Sequence, residues 1–163
     1  MTLVGFKPRS RPSTRWPAWL FAFALLSALL FAQTHASASE RRLLRLGRDL
    51  FTGKADLHGR MSTHPDDLPP EVIRCSNCHA AGTGPDVPRS NAPRLTRDFL
   101  LVPRSRRGGP PSRYNSAAFC AVLRKGVDPA YIVINVEMPR YTIDDSQCAA
   151  IWSFLTQEIH EPK

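Results

Sequence analysis

Five consecutive residues constrain this chain more than any others: Cys75-Ser76-Asn77-Cys78-His79. Two thiols separated by two residues and followed at once by an imidazole form the pattern that attaches a haem through its two vinyl groups. On a short helical turn both sulfurs can reach one porphyrin, while the adjacent ring nitrogen is aimed at the iron. Two other uses of the spacing fit less well. Structural zinc takes four ligands, usually from two close-spaced pairs, and Cys120 and Cys148 stand apart from each other and from the motif. A thioredoxin-like dithiol sits at a strand-to-helix turn of a βαβ unit, and no β-rich apolar run precedes Arg74. The motif occurs once and the chain has no internal repeat, so one covalent haem c with its iron is expected.

The first residues carry an address. Lys7, Arg9, Arg11 and Arg15 give a basic start, Trp16 to Ala32 is almost wholly apolar, and Ala36-Ser37-Ala38 has the small residues a signal peptidase reads. Residues 1–38 therefore read as a signal peptide, and 39–163 as one haem-bearing domain. If the leader is retained, its apolar run is at the short end of what spans a bilayer and would anchor the protein to the inner membrane. Both outcomes place the domain in the periplasm, where thioether attachment and disulfide formation belong. Four of the 22 Lys and Arg residues lie in the leader and none of the 14 acidic residues does, so the remainder carries about +4. Nucleic acid is not an expected partner: the basic residues are loop-borne, no stacking platform accompanies them, and the protein is exported.

Periodicity predicts an all-α domain. A helix is expected over about Glu40 to Phe51, capped by Ser39, with Leu43, Gly47, Leu50 and Phe51 on one stripe and Gly53 as its stop. Lys54 to Pro70 is polar and proline-rich and reads as a long loop holding His58, Met61 and His64, three residues able to ligate iron. Ala80 to Ala92 cannot be regular, and a short helix follows around Thr96 to Leu101. Asn115 to about Lys125 is helical with Phe119, Val122 and Leu123 inward and Gly126 as the stop, and Val127 to Glu137 is a mainly extended connection. The last helix shows the clearest periodicity, with Cys148, Ile151, Trp152, Leu155 and Ile159 on one face and a capping box from Thr142 to Asp145.

Cys75, Cys78 and His79 resemble the haem-binding motif of the c-type cytochromes, and the resemblance extends with decreasing force across the mature chain. It implies a small helical fold wrapped around the haem, with Cys75 and Cys78 as the covalent attachment and His79 as proximal iron ligand. A proline carbonyl is then expected to accept the other N–H of His79, from Pro93 or alternatively Pro85. Met138-Pro139-Arg140-Tyr141, 59 residues after His79, resembles the family's distal Met-Pro-x-Tyr segment. Pro139 disfavours helical geometry at Met138, which leaves Met138 in a loop able to lay its thioether over the second haem face. Gly47 and Phe51 on the first helix, with Ile151 and Phe154 on the last, occupy the places where the family crosses its terminal helices. The long insertion before the motif departs from the compact family pattern.

Histidine and methionine on opposite faces make a six-coordinate iron suited to single-electron transfer, with no position open for a substrate. The expected role is an electron carrier between periplasmic redox proteins, not an enzyme. The alternatives are a relay subunit of a periplasmic dehydrogenase or terminal oxidase, and a haem enzyme or gas sensor with a displaceable sixth ligand. Cys120 and Cys148, on two amphipathic helices in an oxidising compartment, invite a disulfide; two buried thiols are the other reading. Arg104, Arg106, Arg107 and Arg113 lie in a Gly/Pro-rich segment that is either a solvated connector, a docking patch for an acidic redox partner, or a source of arginine for the haem propionates.

Overall fold

The computed structural model describes residues 38–79 and 92–157, so residues 1–37 of the leader, Pro85 and Ile159 lie outside the described residues. Helix α1 covers 38–52. It already includes Ala38 and Ser39, so Ser39 is not its cap: Ala38 is a good helix former and extends the element backwards. Gly53, at φ 75°, ends it in the left-handed conformation that glycine adopts without cost. Leu50 and Phe51 are buried, and Gly47 faces the last helix so closely that a Cβ there would overlap the carbonyl of Ala150.

Short helices α2 (Cys75–His79) and α3 (Arg97–Leu101) precede α4 (Ser116–Lys125) and α5 (Asp145–Thr156). Thr96 caps α3 by accepting from the Phe99 N–H at 3.1 Å, and Asn115 caps α4 by accepting from the Ala118 N–H at 2.8 Å. Gly126, at φ 68°, stops α4, whose Phe119, Val122 and Leu123 are buried. The last helix begins two residues later than its sequence pattern indicates. Asp144 is the N-cap and forms the capping box with Gln147, because Thr142 is already committed to a strand.

That strand adds a small sheet to the helical architecture expected from the sequence. Within a mostly helical molecule, β1 (His58–Arg60) pairs antiparallel with β2 (Arg140–Thr142), in the register His58 with Thr142, Gly59 with Tyr141 and Arg60 with Arg140. The 54–70 insertion is therefore partly ordered structure. Its Leu57 is buried, and the Gly59 carbonyl accepts from the Leu68 N–H at 2.8 Å. Residues 127–137 also form tighter turns than the extended connection expected there, with Val127 bridged to Val133.

Leu50, Leu100, Ile151 and Cys148 are the largest of the fully buried side chains. Helix α5 packs on α4, with the Phe119 and Trp152 rings 5.5 Å apart, and on α1, with Phe51 and Phe154 5.7 Å apart. Cys120 and Cys148 form a disulfide between α4 and α5, with a Cα separation of 5.8 Å. Closing a loop across a sequence separation of 28 is worth about 3.5 kcal/mol. Replacing both cysteines by serine is expected to lower the unfolding free energy by about that amount in chemical denaturation. A change below about 1 kcal/mol would show that the bond adds little to the packing of the two helices.

Candidate functional site

The Cys75–His79 turn is held from both ends. Ahead of it, the Pro69 carbonyl accepts from the N–H groups of Val72 and Ile73 at 2.9 and 3.2 Å. Asn77, inside the motif, reaches back to donate to the carbonyls of Glu71 and Val72 at 2.9 and 3.1 Å. A polar residue between the two cysteines thus satisfies the chain entering the helix. From β2, the Tyr141 hydroxyl donates to the Ile73 carbonyl at 3.0 Å and accepts from the Cys75 thiol at 3.8 Å. Tyr141 was legible only as part of the Met-Pro-x-Tyr segment, and its link to the first cysteine was not.

The two motif thiols have different surroundings. Cys75 is buried and Cys78 exposed. Burial pushes the Cys75 thiol up to about 11, against an opposing contribution from the Tyr141 hydrogen bond. A folded-state value raised above the ordinary one of 9.0 favours the protonated thiol, so its stabilisation is full below pH 9 and is lost as pH rises toward 11. The haem-free chain is accordingly expected to lose roughly 2 kcal/mol across that interval. It should also be alkylated at Cys78 well before Cys75. Peptide mapping after timed iodoacetamide treatment at pH 8 checks the order, and equal labelling would contradict it.

At the end of the turn, His79 Nδ1 lies 2.7 Å from the Pro93 carbonyl. The carbonyl accepts, so Nδ1 carries the proton and Nε2 keeps its lone pair. Burial lowers the His79 pKa, only partly offset by that hydrogen bond, and favours the neutral imidazole that can bind a metal.

Two adjoining cavities of about 500 and 430 Å³ meet at His79, Pro93, Arg107 and Met138, which line both. The first continues along Cys75, Cys78, Tyr141 and, from the insertion, Met61 and Leu68. The second continues along Leu95, Phe99, Leu100, Phe119 and Val122 to Arg104 and Arg106. A largely apolar space with a few polar groups at its margin suits a large planar ligand. Both thiols, the imidazole and a thioether are at its wall, so the donor set fits a covalently held haem. The three ligand candidates in the insertion separate here. Met61 lines the first cavity, whereas His58 and His64 line neither and lie 3.7 Å from Asp67 and Asp66 respectively.

The four cysteines do not gather at one place. Cys120 and Cys148 are bonded to each other, and among the described residues no group of three or more His, Cys, Asp or Glu is placed to hold a metal.

The arginines divide as well. Arg104, Arg107 and Arg113 are exposed, but Arg106 retains 8 % exposure and lies between the Phe99 and Tyr114 rings, 5.2 and 5.0 Å from their centroids. It donates to the carbonyls of Phe99 at 2.6 Å and of Ser112. Arg106 is thus removed from the docking surface, because its guanidinium is turned inward onto these carbonyls and the two rings. Its buried Nε has no partner, and neither does Oδ2 of the buried Asp128. The other Asp128 carboxylate oxygen accepts from the N–H groups of Ala130 and Ile132, both at 2.9 Å. This turn presents Tyr131, at φ 61° and 90 % exposed, beside the exposed Val133 and Val136. Nothing in the linear pattern marked Tyr131 or Asp128.

Comparison with protein-family models, with curated proteins and with solved structures finds no match to this chain.

Proposed function

We propose that this chain is an exported monohaem c-type cytochrome that carries single electrons between periplasmic redox proteins. The observation that carries the reading is the orientation of His79. Its Nδ1 proton is held by Pro93, which leaves the lone pair on Nε2, and it lines the same cavities as Met138 at the end of a C-x-x-C turn. The mostly helical architecture, with α1 crossed on α5, supports a cytochrome c-like wrap around the cofactor.

In this reading Cys75 and Cys78 hold the haem through thioethers, His79 ligates the iron from one face and Met138 from the other. The bound haem iron supplies reversible one-electron oxidation and reduction. The protein's part is to keep both axial positions filled, exclude water with the apolar wall of Leu95, Leu100, Phe119 and Val122, and hold the imidazole in one tautomer. Arg106 is the residue suited to a haem propionate, since a buried cation with an unpartnered N–H borders the second cavity.

Carbon monoxide tests the assignment. The reduced protein at neutral pH is expected to bind it slowly or not at all, because Met138 occupies the iron. Rapid binding would replace the carrier reading with that of a ligand-binding haem protein.

Arg104, Arg107 and Arg113 provide the positive surface for an acidic redox partner. Association is expected to slow steeply with added salt and on neutralising these arginines. Rates insensitive to both would dismiss steering. The exposed Tyr131, Val133 and Val136 favour a second reading, in which the same haem is a fixed relay in a larger oxidoreductase. Co-purification with a stoichiometric partner through successive columns would select it.

A further inference from the structure

Met138 lies in an irregular turn, with its side chain half-buried against the core. Its N–H donates to the Asn135 carbonyl at 3.2 Å, a bond near the long limit. The neighbouring strand supplies the rest. Arg140 donates from its guanidinium to the Met138 carbonyl at 2.6 Å, a short charge-assisted bond.

Arg140 is itself fixed from three directions. Its backbone belongs to β2 and pairs with Arg60 of the insertion. Its guanidinium lies over Gly126, where a Cβ would overlap it, so the left-handed cap of α4 doubles as a seat for the arginine. Behind it, Gly59 brings β1 so close that a Cβ would stand 2.7 Å from the Arg140 carbonyl and 2.8 Å from Ile73 Cδ1. Gly126 thus makes room for the guanidinium and Gly59 for the strand backbone that carries it, and the cation donates to the backbone of Met138.

We propose that Arg140 is a positioning residue for the distal iron ligand: with β1 it clamps the Met138 segment, so that the thioether stays at the cofactor in both oxidation states. This gives the insertion a task. The strand that lengthens the path from α1 to the cysteines closes the ligand loop from the far side. The inference rests on the haem reading. Burial lowers the Arg140 pKa, but an arginine remains charged across the working range, so the clamp does not depend on pH near neutrality.

The test uses the haem-loaded protein with the variants Arg140→Ala, Arg140→Lys and Gly59→Ala. The far-red band of ferric thioether ligation and the imidazole concentration that displaces Met138 are the readouts. Arg140→Ala is expected to weaken the band and to need about tenfold to a hundredfold less imidazole. Arg140→Lys, which keeps a cationic donor, should recover part of the difference. Gly59→Ala, which pushes on Arg140 from behind, should shift in the same direction as Arg140→Ala.

A purely structural role would lower the thermal midpoint of helix unfolding together with the band. The clamp instead predicts that the band is lost at temperatures where helical content is intact. An unchanged band and unchanged imidazole affinity in Arg140→Ala, with haem attached, would overturn the inference and leave the haem reading standing. A haem-loaded wild-type protein without the band would overturn it by removing Met138 from the iron. Absence of covalent haem from the wild type would instead overturn the functional reading.

Discussion

Gly47→Val is expected to separate α1 from α5 and to cost the protein about 3 kcal/mol or more in unfolding free energy. Gly47 is buried, and even the first side-chain carbon would overlap the Ala150 carbonyl and come within 2.8 Å of Phe154 Cβ. Neither neighbour can yield, since one is helix backbone and the other is fixed by the Phe51 ring at 5.7 Å. The helices must move apart, and the contacts of Leu50 and Phe51 loosen with them. A small domain has only about 5–15 kcal/mol in hand, so the haem-free variant should be largely unfolded at moderate denaturant. Circular dichroism during urea titration measures this, and a midpoint equal to wild type would mean that α1 is not seated on α5.

Arg106→Ala is expected to cost about 3 kcal/mol. The substitution leaves the carbonyl of Phe99 without its arginine donor, takes one of two donors from the Ser112 carbonyl, and opens a space between the Phe99 and Tyr114 rings. These losses fall inside the fold, where water cannot replace the guanidinium freely. The same change at Arg113, which is exposed, should alter stability by less than about 0.5 kcal/mol. Thermal melts of the two variants side by side provide the comparison. Equal and small effects would show that Arg106 is a solvated side chain.

The helices were legible because their signals are local. Asn115 and Gly126 bracket α4 as a cap and a left-handed stop should, and Phe119, Val122 and Leu123 fall on the buried face at helical spacing. The pairing of Cys120 with Cys148 followed from two apolar-face thiols in an oxidising compartment. Pro93 was one of two prolines open to His79, and the structure joins it to Nδ1 at 2.7 Å, while Pro85 lies outside the described residues.

What escaped the sequence is set by distant partners. The strand His58–Arg60 has a glycine at its centre and no apolar alternation, and it exists because residues 140–142, some eighty positions later, complete its hydrogen bonds. The same pairing takes Thr142 and moves the start of α5 to Asp144. Arg106 read as one of four basic loop residues, since a run of arginines carries no mark of which one the chain will turn inward. Tyr131 is a tyrosine at positive φ, a conformation held by the Asp128 turn and invisible to propensity.

The proposed function requires two neighbouring sulfurs to carry a porphyrin whose iron His79 ligates. Intact-mass measurement of the processed protein, produced in a cell competent for haem attachment, tests it most directly, alongside the same chain with Cys75 and Cys78 replaced by serine. The wild-type protein is expected to be heavier by one haem and red after denaturation, and the double variant colourless and without the increment. A wild-type protein at the mass of the bare polypeptide would contradict the proposed function.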